Sequence, residues 1–482
     1  MLINNSGMED FDPLVDIEVT VEIQKIRYLE ETTLQSAGAA STNSNFFKFL
    51  ENRPIFQLIK KIFNVQETGD ALFDLYVKVF INEAEFTSDT WTNTKYVDNP
   101  QTSFTVDVSD DVEDVEIRIE LYRSETLGDT LCDLSPDSGS SDASHDADIA
   151  YSIKTGHWTG DDEIQDSSGY GRLCGCDDGT IYTDDYDSEL WFNIYQNDFD
   201  EDGIPYWMEV NDYGSDPESP DTGDPDNDDV PVDWEWKWGY DPFSAENHDK
   251  LDPDGDSIDN EEEYLVSQWF SDPFRKDVYV EMDKMDDGPN GERVYFPVES
   301  EELIETAFNR QNMVFHLDMG TMGGYEIIPF DDYTEHGELN QIYQDYFLHN
   351  GAAAWRKGIF RYGVVVYTVK WVAGYIFRPD AYQVSSDLLE DKCDMPLCVD
   401  EIVYASGYMH ELGHSFDFNP IPGHDRLSGA PWLPGWWINR PYKSCMNYGW
   451  VYTLVDYSDG SREDPDLDDW ERIDWDAFER NW

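Results

Sequence analysis

The chain has 482 residues, and 104 Asp and Glu against 31 Lys and Arg give it a formal net charge of −73. Because nucleic acids and anionic membranes are bound by clustered basic side chains, this balance excludes a nucleic-acid-binding surface and disfavours anionic membranes. Acidic chains with few apolar residues are typically disordered, but 40% of these residues are hydrophobic and 15% aromatic, so we expect a folded protein.

Export and membrane signals are not visible in the sequence. The first residues have neither a basic segment nor an apolar segment, so we expect no signal peptide in this numbering. No run of 18 apolar residues follows, and we expect no transmembrane segment. Disulfides between Cys393 and Cys398, or between Cys132 and either Cys174 or Cys176, are open alternatives outside the cytoplasm.

Residues 1–195 are predicted to form an antiparallel β-sandwich. Apolar residues alternate at 15–23, 72–81 and 112–121, and further strand-like segments lie at 149–153 and 190–194. The segment LYVKVFI precedes an exposed connection, and in this respect the domain loosely resembles a C2-type sandwich. The whole chain is therefore predicted to be multidomain α+β.

A repeated acidic pattern occupies residues 196–275. Its three copies begin 26 and 28 residues apart, and each is followed by an Asp-Pro pair, at Asp216, Asp241 and Asp272. Carboxylates stand at positions 1, 3 and 5 of each copy, and a Glu stands at position 12. They are Asp198, Asp200, Asp202 and Glu209 in the first copy, Asp224, Asp226, Asp228 and Glu235 in the second, and Asp252, Asp254, Asp256 and Glu263 in the third.

This spacing matches a calcium-binding loop, in which the short side chains converge and the final Glu closes the shell with both oxygens. The first copy has Gly203 at position 6, where a positive φ is often required, but Asp229 and Ser257 stand there in the others. Asp tolerates that conformation better than Ser, so the third site departs furthest from the pattern. A strand-like segment precedes Asp198, and the repeats resemble thrombospondin type 3 repeats more than EF-hands. Three Ca2+ ions are expected to rigidify a linker.

A second metal motif lies near the C-terminus. His410, Glu411 and His414 form an HExxH sequence within the helix predicted at 400–416. Histidines at i and i+4 lie on one helix face and can bind the same Zn2+ ion, while Glu411 is placed to deprotonate a metal-bound water. The alternative is a helix whose two histidines have only structural roles.

This motif, together with the sequence SCMNY at 444–448, resembles the metzincin clan of zinc peptidases, in particular secreted members with upstream calcium repeats. The resemblance covers residues 276–482 and implies a metzincin-like zincin domain. It implies that Met446 lies in a turn beneath the metal without binding it. It also implies that Tyr448 binds the zinc or donates a hydrogen bond to the oxyanion, although both residues could equally belong to the core.

The third zinc ligand departs from the pattern of that clan, which continues HExxHxxGxxH/D. Here the glycine position is Asp417 and the ligand position is Pro420. A catalytic zinc needs three protein ligands and an open position. We expect His424 to be the third ligand, with Asp425 as the alternative, and Asp417 or a more distant residue remains possible.

A group of tryptophans surrounds this region: Trp432, Trp436, Trp437 and Trp450. Such residues could line a substrate groove. Because large aromatic side chains more often fill cores, we expect them to be buried.

The sequence thus predicts a zinc-dependent endopeptidase that hydrolyses peptide bonds of a protein or peptide substrate. Its acidity, which self-repels in dilute buffer, resembles that of proteins from extremely halophilic archaea or their viruses. The predicted location is extracellular, on a cell surface or in a virion. The alternative function is that of a structural or adhesion protein with an inert peptidase domain.

Overall fold

The computed structural model describes residues 12–29, 73–124, 128–136, 145–162, 171–175, 187–369, 372–393 and 399–479. These residues form two compact units. The first comprises the described residues up to 254 together with 259–276, and the second comprises 255–258 and the described residues from 277 onward. Among the cysteines considered for disulfides, Cys176 and Cys398 lie outside the described residues, and Cys132 is a buried thiol.

The first unit is built from eleven strands: β1 (Glu18–Tyr28), β2 (Phe73–Ile81), β3 (Ala84–Thr87), β4 (Trp91–Thr94), β5 (Tyr96–Asp107), β6 (Asp114–Ser124), β7 (Thr130–Cys132), β8 (Ala147–Ser152), β9 (Trp158–Gly160), β10 (Arg172–Cys174) and β11 (Ser188–Gln196). They form a four-stranded sheet in the order β10-β11-β1-β5 and a seven-stranded sheet centred on β3-β2-β6-β8-β9. All pairings within the two sheets are antiparallel.

The two sheets share one hydrophobic core. Val19 and Val21 of β1 and Val77 and Val79 of β2 are fully buried in the same cluster of side chains. Alternate residues of a strand point to opposite faces, so the alternation in the sequence places these valines on one face of each sheet. The prediction of antiparallel β-structure in this region is confirmed.

The acidic repeats belong largely to this first unit. Each repeat leads into a short helix: α1 (Tyr206–Met208), α2 (Val232–Lys237) and α3 (Asn260–Val266). Trp234 and Trp238, in and just after α2, are buried in the hydrophobic core of the two sheets. The region expected to be a separate linker is therefore packed against the domain that precedes it.

The second unit contains six strands and five helices among its described residues. They are β12 (Asp277–Met285), α4 (Val298–Asn309), β13 (Val314–Asp318), β14 (Ile327–Ile328), α5 (His336–Ile342), β15 (Phe360–Val366), β16 (Gly374–Arg378), β17 (Ala381–Ser385), α6 (Ser386–Cys393), α7 (Asp400–Ser415) and α8 (Pro434–Ile438). The main path of the sheet runs β13-β12-β15-β17-β16, and β14 pairs with β12.

The sheet of the second unit is parallel except at one edge. Strands β12, β13, β15 and β17 run in the same direction, and β16 pairs antiparallel with β17 at the end of the order. Helix α7 contacts α4, β16 and β17, which brings the predicted HExxH helix to the β16 edge. Within the described ranges, no helix has the length and apolar character needed to cross a bilayer.

Candidate metal centres

Helix α7 carries the HExxH motif on a segment that is buried for almost its whole length. His410 and His414 are one helical turn apart, and their ring centroids are 5.0 Å apart in a nearly perpendicular arrangement. Because side chains at i and i+4 share a helix face, both rings project to the same side of α7.

His424 reaches the same position from the loop that follows the helix. Gly423 makes this return possible, since its φ of +76° favours glycine and a Cβ there would overlap the side chain of Asn447. The Nε2 atoms of His424 and His410 are 3.3 Å apart. One nitrogen from each of the three histidines lies within 4.8 Å of the other two.

All three imidazoles are neutral at physiological pH. Burial lowers the pKa of His410, and the neighbouring rings lower it further. Burial, followed by the charge of His424, lowers the pKa of His414 to about 4, and burial also lowers that of His424. Neutral imidazole nitrogens are the form that binds a metal ion, so this donor set fits a tetrahedral metal with one open position.

The orientation of His410 is fixed by the backbone. Its Nδ1 lies 2.8 Å from the carbonyl oxygen of Cys445, which can only accept a hydrogen bond. Nδ1 must therefore carry the proton, and Nε2 presents its lone pair to the other two histidines.

Glu411 faces away from the helix core towards strand β16. Its side chain is buried, and Oε2 has no hydrogen-bond partner among the described residues. Burial raises the pKa of this carboxyl group to about 8. A Cβ built on Gly374 of β16 would lie 2.5 Å from Cγ of Glu411, so only glycine allows this close approach.

Met446 lies beneath the helix, against its opposite side. A Cβ built on Gly413 would lie 2.5 Å from the sulfur of Met446, which is completely buried. Together with the Cys445 contact to His410, this places the 444–448 turn directly under the histidine cluster.

Tyr448 extends from the same turn towards the histidines. Its ring centroid is 4.3 Å from that of His424 and 5.8 Å from that of His410. Burial, followed by the charge of Glu411, raises the pKa of its hydroxyl group, so the group is a hydrogen-bond donor at neutral pH.

The alternative third ligands lie elsewhere. The Oδ1 atom of Asp425 accepts hydrogen bonds from the backbone N–H of Leu427 at 2.6 Å and from the hydroxyl of Ser428 at 3.3 Å. Asp425 and Asp417 are both exposed, and neither belongs to the histidine cluster. Of the residues considered for this position, the structure brings His424 to the other two.

The expectation that the tryptophans are core residues is wrong. Trp432 and Trp437 are 83% and 66% exposed, and Trp436 and Trp450 are only partly buried and line a cavity next to His410. The loops that carry these residues present them to solvent, and their spacing in the sequence contains no signal of this.

In the first acidic repeat, two groups of carboxylates converge. Asp198, Asp200 and Asp202 form one group, and Asp202, Glu209 and Asp221 form another. Both oxygens of Asp200 are buried without a hydrogen-bond partner among the described residues. Burial, followed by neighbouring carboxylates, raises the pKa of Asp200 to about 6 and that of Glu209 to about 8. A bound cation would relieve this repulsion.

The second repeat also brings its predicted residues together, in the group Asp224, Asp226 and Asp228 and in the group Asp228, Glu235 and His248. The Nε2 atom of His248 is 3.3 Å from Asp228 and 3.4 Å from Glu235. Burial raises the pKa of Glu235 to about 7 against the opposing effect of His248. His248 and Asp221 were missed because they lie outside the twelve-residue loop pattern.

The three repeats share one backbone conformation. The φ angle is positive at positions 4 and 6 of every copy, at Glu201, Gly203, Asn227, Asp229, Gly255 and Ser257. Asp202 accepts backbone N–H groups from Ile204 and Asp221, both at 2.8 Å. The same pattern recurs at Asp228 with Val230 and Glu246 and at Asp256 with Ile258 and Asp277. Ser257 thus adopts the required left-handed conformation despite its side chain.

The remaining predicted residues of the third repeat divide between the two units. Asp252, Asp254 and Glu263 belong to the first, and Asp256 belongs to the second. Glu263 is buried, and helix α3 begins with a capping box between Asp259 and Glu262.

No protein-family model matches the chain, and no curated protein matches it either. Similar solved structures include a human GIVD cytosolic phospholipase A2 in complex with methyl gamma-linolenyl fluorophosphonate, at 11% identity and a TM-score of 0.19 over 38% of this chain and 17% of that one. A C2 domain is similar at 10% identity and 0.19, and a C2 domain of plant extended synaptotagmin 1 at 11% and 0.19. Each covers 38% of this chain, which spans 98% and 95% of their lengths, respectively.

Proposed function

We propose that the chain is a zinc-dependent endopeptidase. The observation that carries the proposal is the convergence of three neutral imidazoles, from His410, His414 and His424, beside a buried carboxylate, Glu411. The nitrogen donors and the adjacent acid are the combination that zinc hydrolases use.

In this proposal His410, His414 and His424 hold the zinc. Bound Zn2+ would supply a Lewis acid that polarises a carbonyl group and lowers the pKa of water towards about 7. Glu411, with an oxygen that lacks a partner among the described residues, accepts the proton of the attacking water and delivers it to the leaving amine. The hydroxyl of Tyr448 donates a hydrogen bond to the developing oxyanion.

The edge of the sheet supports a peptide substrate in particular. Strand β16 ends the strand order, and its first residue, Gly374, contacts Glu411. An edge strand offers unpaired backbone groups that can pair with an extended peptide. A peptide paired with β16 would carry its backbone past Glu411, which places a peptide bond near the acid.

The architecture proposed for the second unit is a metzincin-like zincin domain. Two features support it: the His424 return after HExxH, and Met446 packed under Gly413. For the first unit we propose a C2-like sandwich, supported by its two antiparallel sheets around a single core.

The acidic repeats are proposed to bind Ca2+. Asp200 and Asp226 each present two buried oxygens that lack partners among the described residues, and oxygen-rich sites of this kind suit a hard cation. The net charge of −73 supports adaptation to high salt, and an extracellular or virion setting would supply the calcium.

The decisive experiment compares the wild-type protein with Glu411→Gln in molar salt, measuring bound zinc and the cleavage of casein or a peptide library. We expect the variant to keep its zinc and to lose at least about 10²-fold in kcat/KM, since proton transfer contributes that much. Full activity of the variant, or native protein without zinc, would contradict the proposal and favour a structural or adhesion protein.

A further inference from the structure

A large cavity in the second unit opens beside the histidines. Its volume is about 930 Å3, and His410, Glu411 and Tyr448 form part of its wall. Leu389 of α6 and Val403 of α7 supply apolar surface on another side. A side chain next to the cleaved bond would enter this cavity, so the inference below rests on the proposed function.

The charge of this cavity opposes that of the chain. Its described lining contains three cationic side chains, Lys392, Arg426 and Arg440, and one carboxylate, Glu411. In the whole chain, by contrast, acidic residues outnumber basic ones by 104 to 31. A local excess of positive charge in such a chain has to be maintained by specific residues, and it favours an anionic ligand.

Arg440 is held between two indole rings. Its guanidinium carbon lies 4.0 Å from the ring centroid of Trp436 and 4.0 Å from that of Trp450. The Nε1 atom of Trp450 donates a hydrogen bond to the carbonyl oxygen of Arg440 at 3.2 Å, which ties the backbone to the same ring. Stacking fixes the plane of the guanidinium group and leaves its N–H edge available for hydrogen bonds.

Arg440 makes no ion pair with a carboxylate in the described part of the chain, unlike several other arginines. Arg356 pairs with Glu281 at 2.5 Å, and Arg310 pairs with Asp456 at 2.5 Å. An ordered guanidinium group in a cavity, without a carboxylate of its own chain, is suited to a carboxylate that arrives with the substrate.

We propose that this cavity binds an acidic side chain of the substrate next to the scissile bond, and that Arg440 is its main partner. The planar guanidinium group donates two parallel N–H groups to a Glu or Asp carboxylate. Direct contacts of this kind are shorter than the Debye length of about 3 Å in 1 M salt, so the preference persists in the salt that the chain tolerates.

The first test measures kcat/KM in molar salt for peptides that differ only in having Glu or Gln on either side of one scissile bond. We expect the wild-type protein to prefer a Glu peptide by about tenfold or more, as a charge-assisted pair would give. Arg440→Gln should bring the ratio close to one while keeping cleavage of the Gln peptide. The matched control is Arg293→Gln, because Arg293 is 57% exposed and pairs with Glu390; it should keep the wild-type ratio.

The second test is independent of turnover. Binding of the same peptides to Glu411→Gln is followed through the fluorescence of Trp436 and Trp450, and the Glu peptide should bind about tenfold more tightly. Equal affinities for both peptides, or cleavage without an acidic preference, would overturn the inference and leave the peptidase proposal standing. Selective binding of the Glu peptide with no cleavage by the wild-type protein would overturn the peptidase proposal instead.

Discussion

Gly374 and Glu411 are in direct contact, although the first lies on the edge strand β16 and the second on helix α7. A side-chain carbon at position 374 would lie 2.5 Å from Cγ of Glu411. The glycine therefore determines where the carboxylate of the HExxH motif can stand.

Gly374→Ala should push the Glu411 carboxylate away from its place. Small displacements of a reacting group reduce catalysis strongly, and we expect kcat to fall by about tenfold or more with zinc content unchanged. Steady-state kinetics and metal analysis of the purified variant measure both quantities. Gly337→Ala is the control, since a Cβ there meets no atom within 4 Å. Wild-type kcat in Gly374→Ala would mean that Glu411 has room to shift without effect.

The third zinc ligand can be assigned by a pair of variants. His424→Ala removes one of three convergent nitrogens and should lower zinc affinity by several orders of magnitude, whereas Asp425→Asn should leave it unchanged. Competition with a chromophoric chelator measures both affinities. The opposite ranking would transfer the ligand role to Asp425.

Glu209→Gln should reverse the effect of calcium on stability at the first repeat. Burial and the nearby carboxylates raise the pKa of Glu209 to about 8 when no cation is present, so in chelator at pH 9 the charged wild-type side chain is destabilising and the variant should be the more stable protein. In millimolar Ca2+ the wild type should gain about 1–3 kcal/mol by binding the ion. Thermal unfolding with and without Ca2+ tests this crossing, with the exposed Asp212→Asn as control. Parallel curves for all three proteins would argue against a calcium site.

Acid stability of the first unit depends on a buried charged group in the sandwich. Burial alone would raise the pKa of Glu189, but the guanidinium groups of Arg172 and Arg27 lower it to about 2. Because the folded pKa lies below the unfolded value of about 4.3, this stabilisation is present above that pH and is lost as the pH falls towards 2.

Glu189→Gln should therefore lose about 3–5 kcal/mol at neutral pH and show a flatter stability curve between pH 4.5 and 2. Denaturant unfolding at a series of pH values measures this. The control is Glu113→Gln, whose 50% exposed side chain pairs with Lys154 at 2.9 Å and should contribute less than about 1 kcal/mol. Equal losses in the two variants would assign Glu189 no special role.

Local patterns in the sequence predicted local geometry well. Alternating apolar residues located β1, β2, β6, β8 and β11 to within a few residues, and the HExxH spacing located α7. The calcium-loop pattern identified carboxylates that converge in the first two repeats. Each of these signals is contained within about a dozen residues, over which the backbone conformation fixes which side chains meet.

Contacts between distant segments could not be predicted in the same way. Asp221 joins Asp202 across 19 residues, His248 joins Glu235, and Gly374 meets Glu411. No periodicity encodes such pairings, because they follow from how loops and strands pack after they form. The tryptophans failed for the same reason, since their spacing does not say whether a loop turns them inward.

The positions that hold the metal and those that line the cavity are separate sets of residues. The 444–448 turn supports the histidines through Met446 and Cys445, whereas Arg440 is positioned by Trp436 and Trp450. Substitutions in the second set can change which side chain is accepted without disturbing the first. Related chains could therefore diverge in the substrates they cleave while sharing one chemistry, and a new preference could be selected in the laboratory by randomising only these three cavity positions.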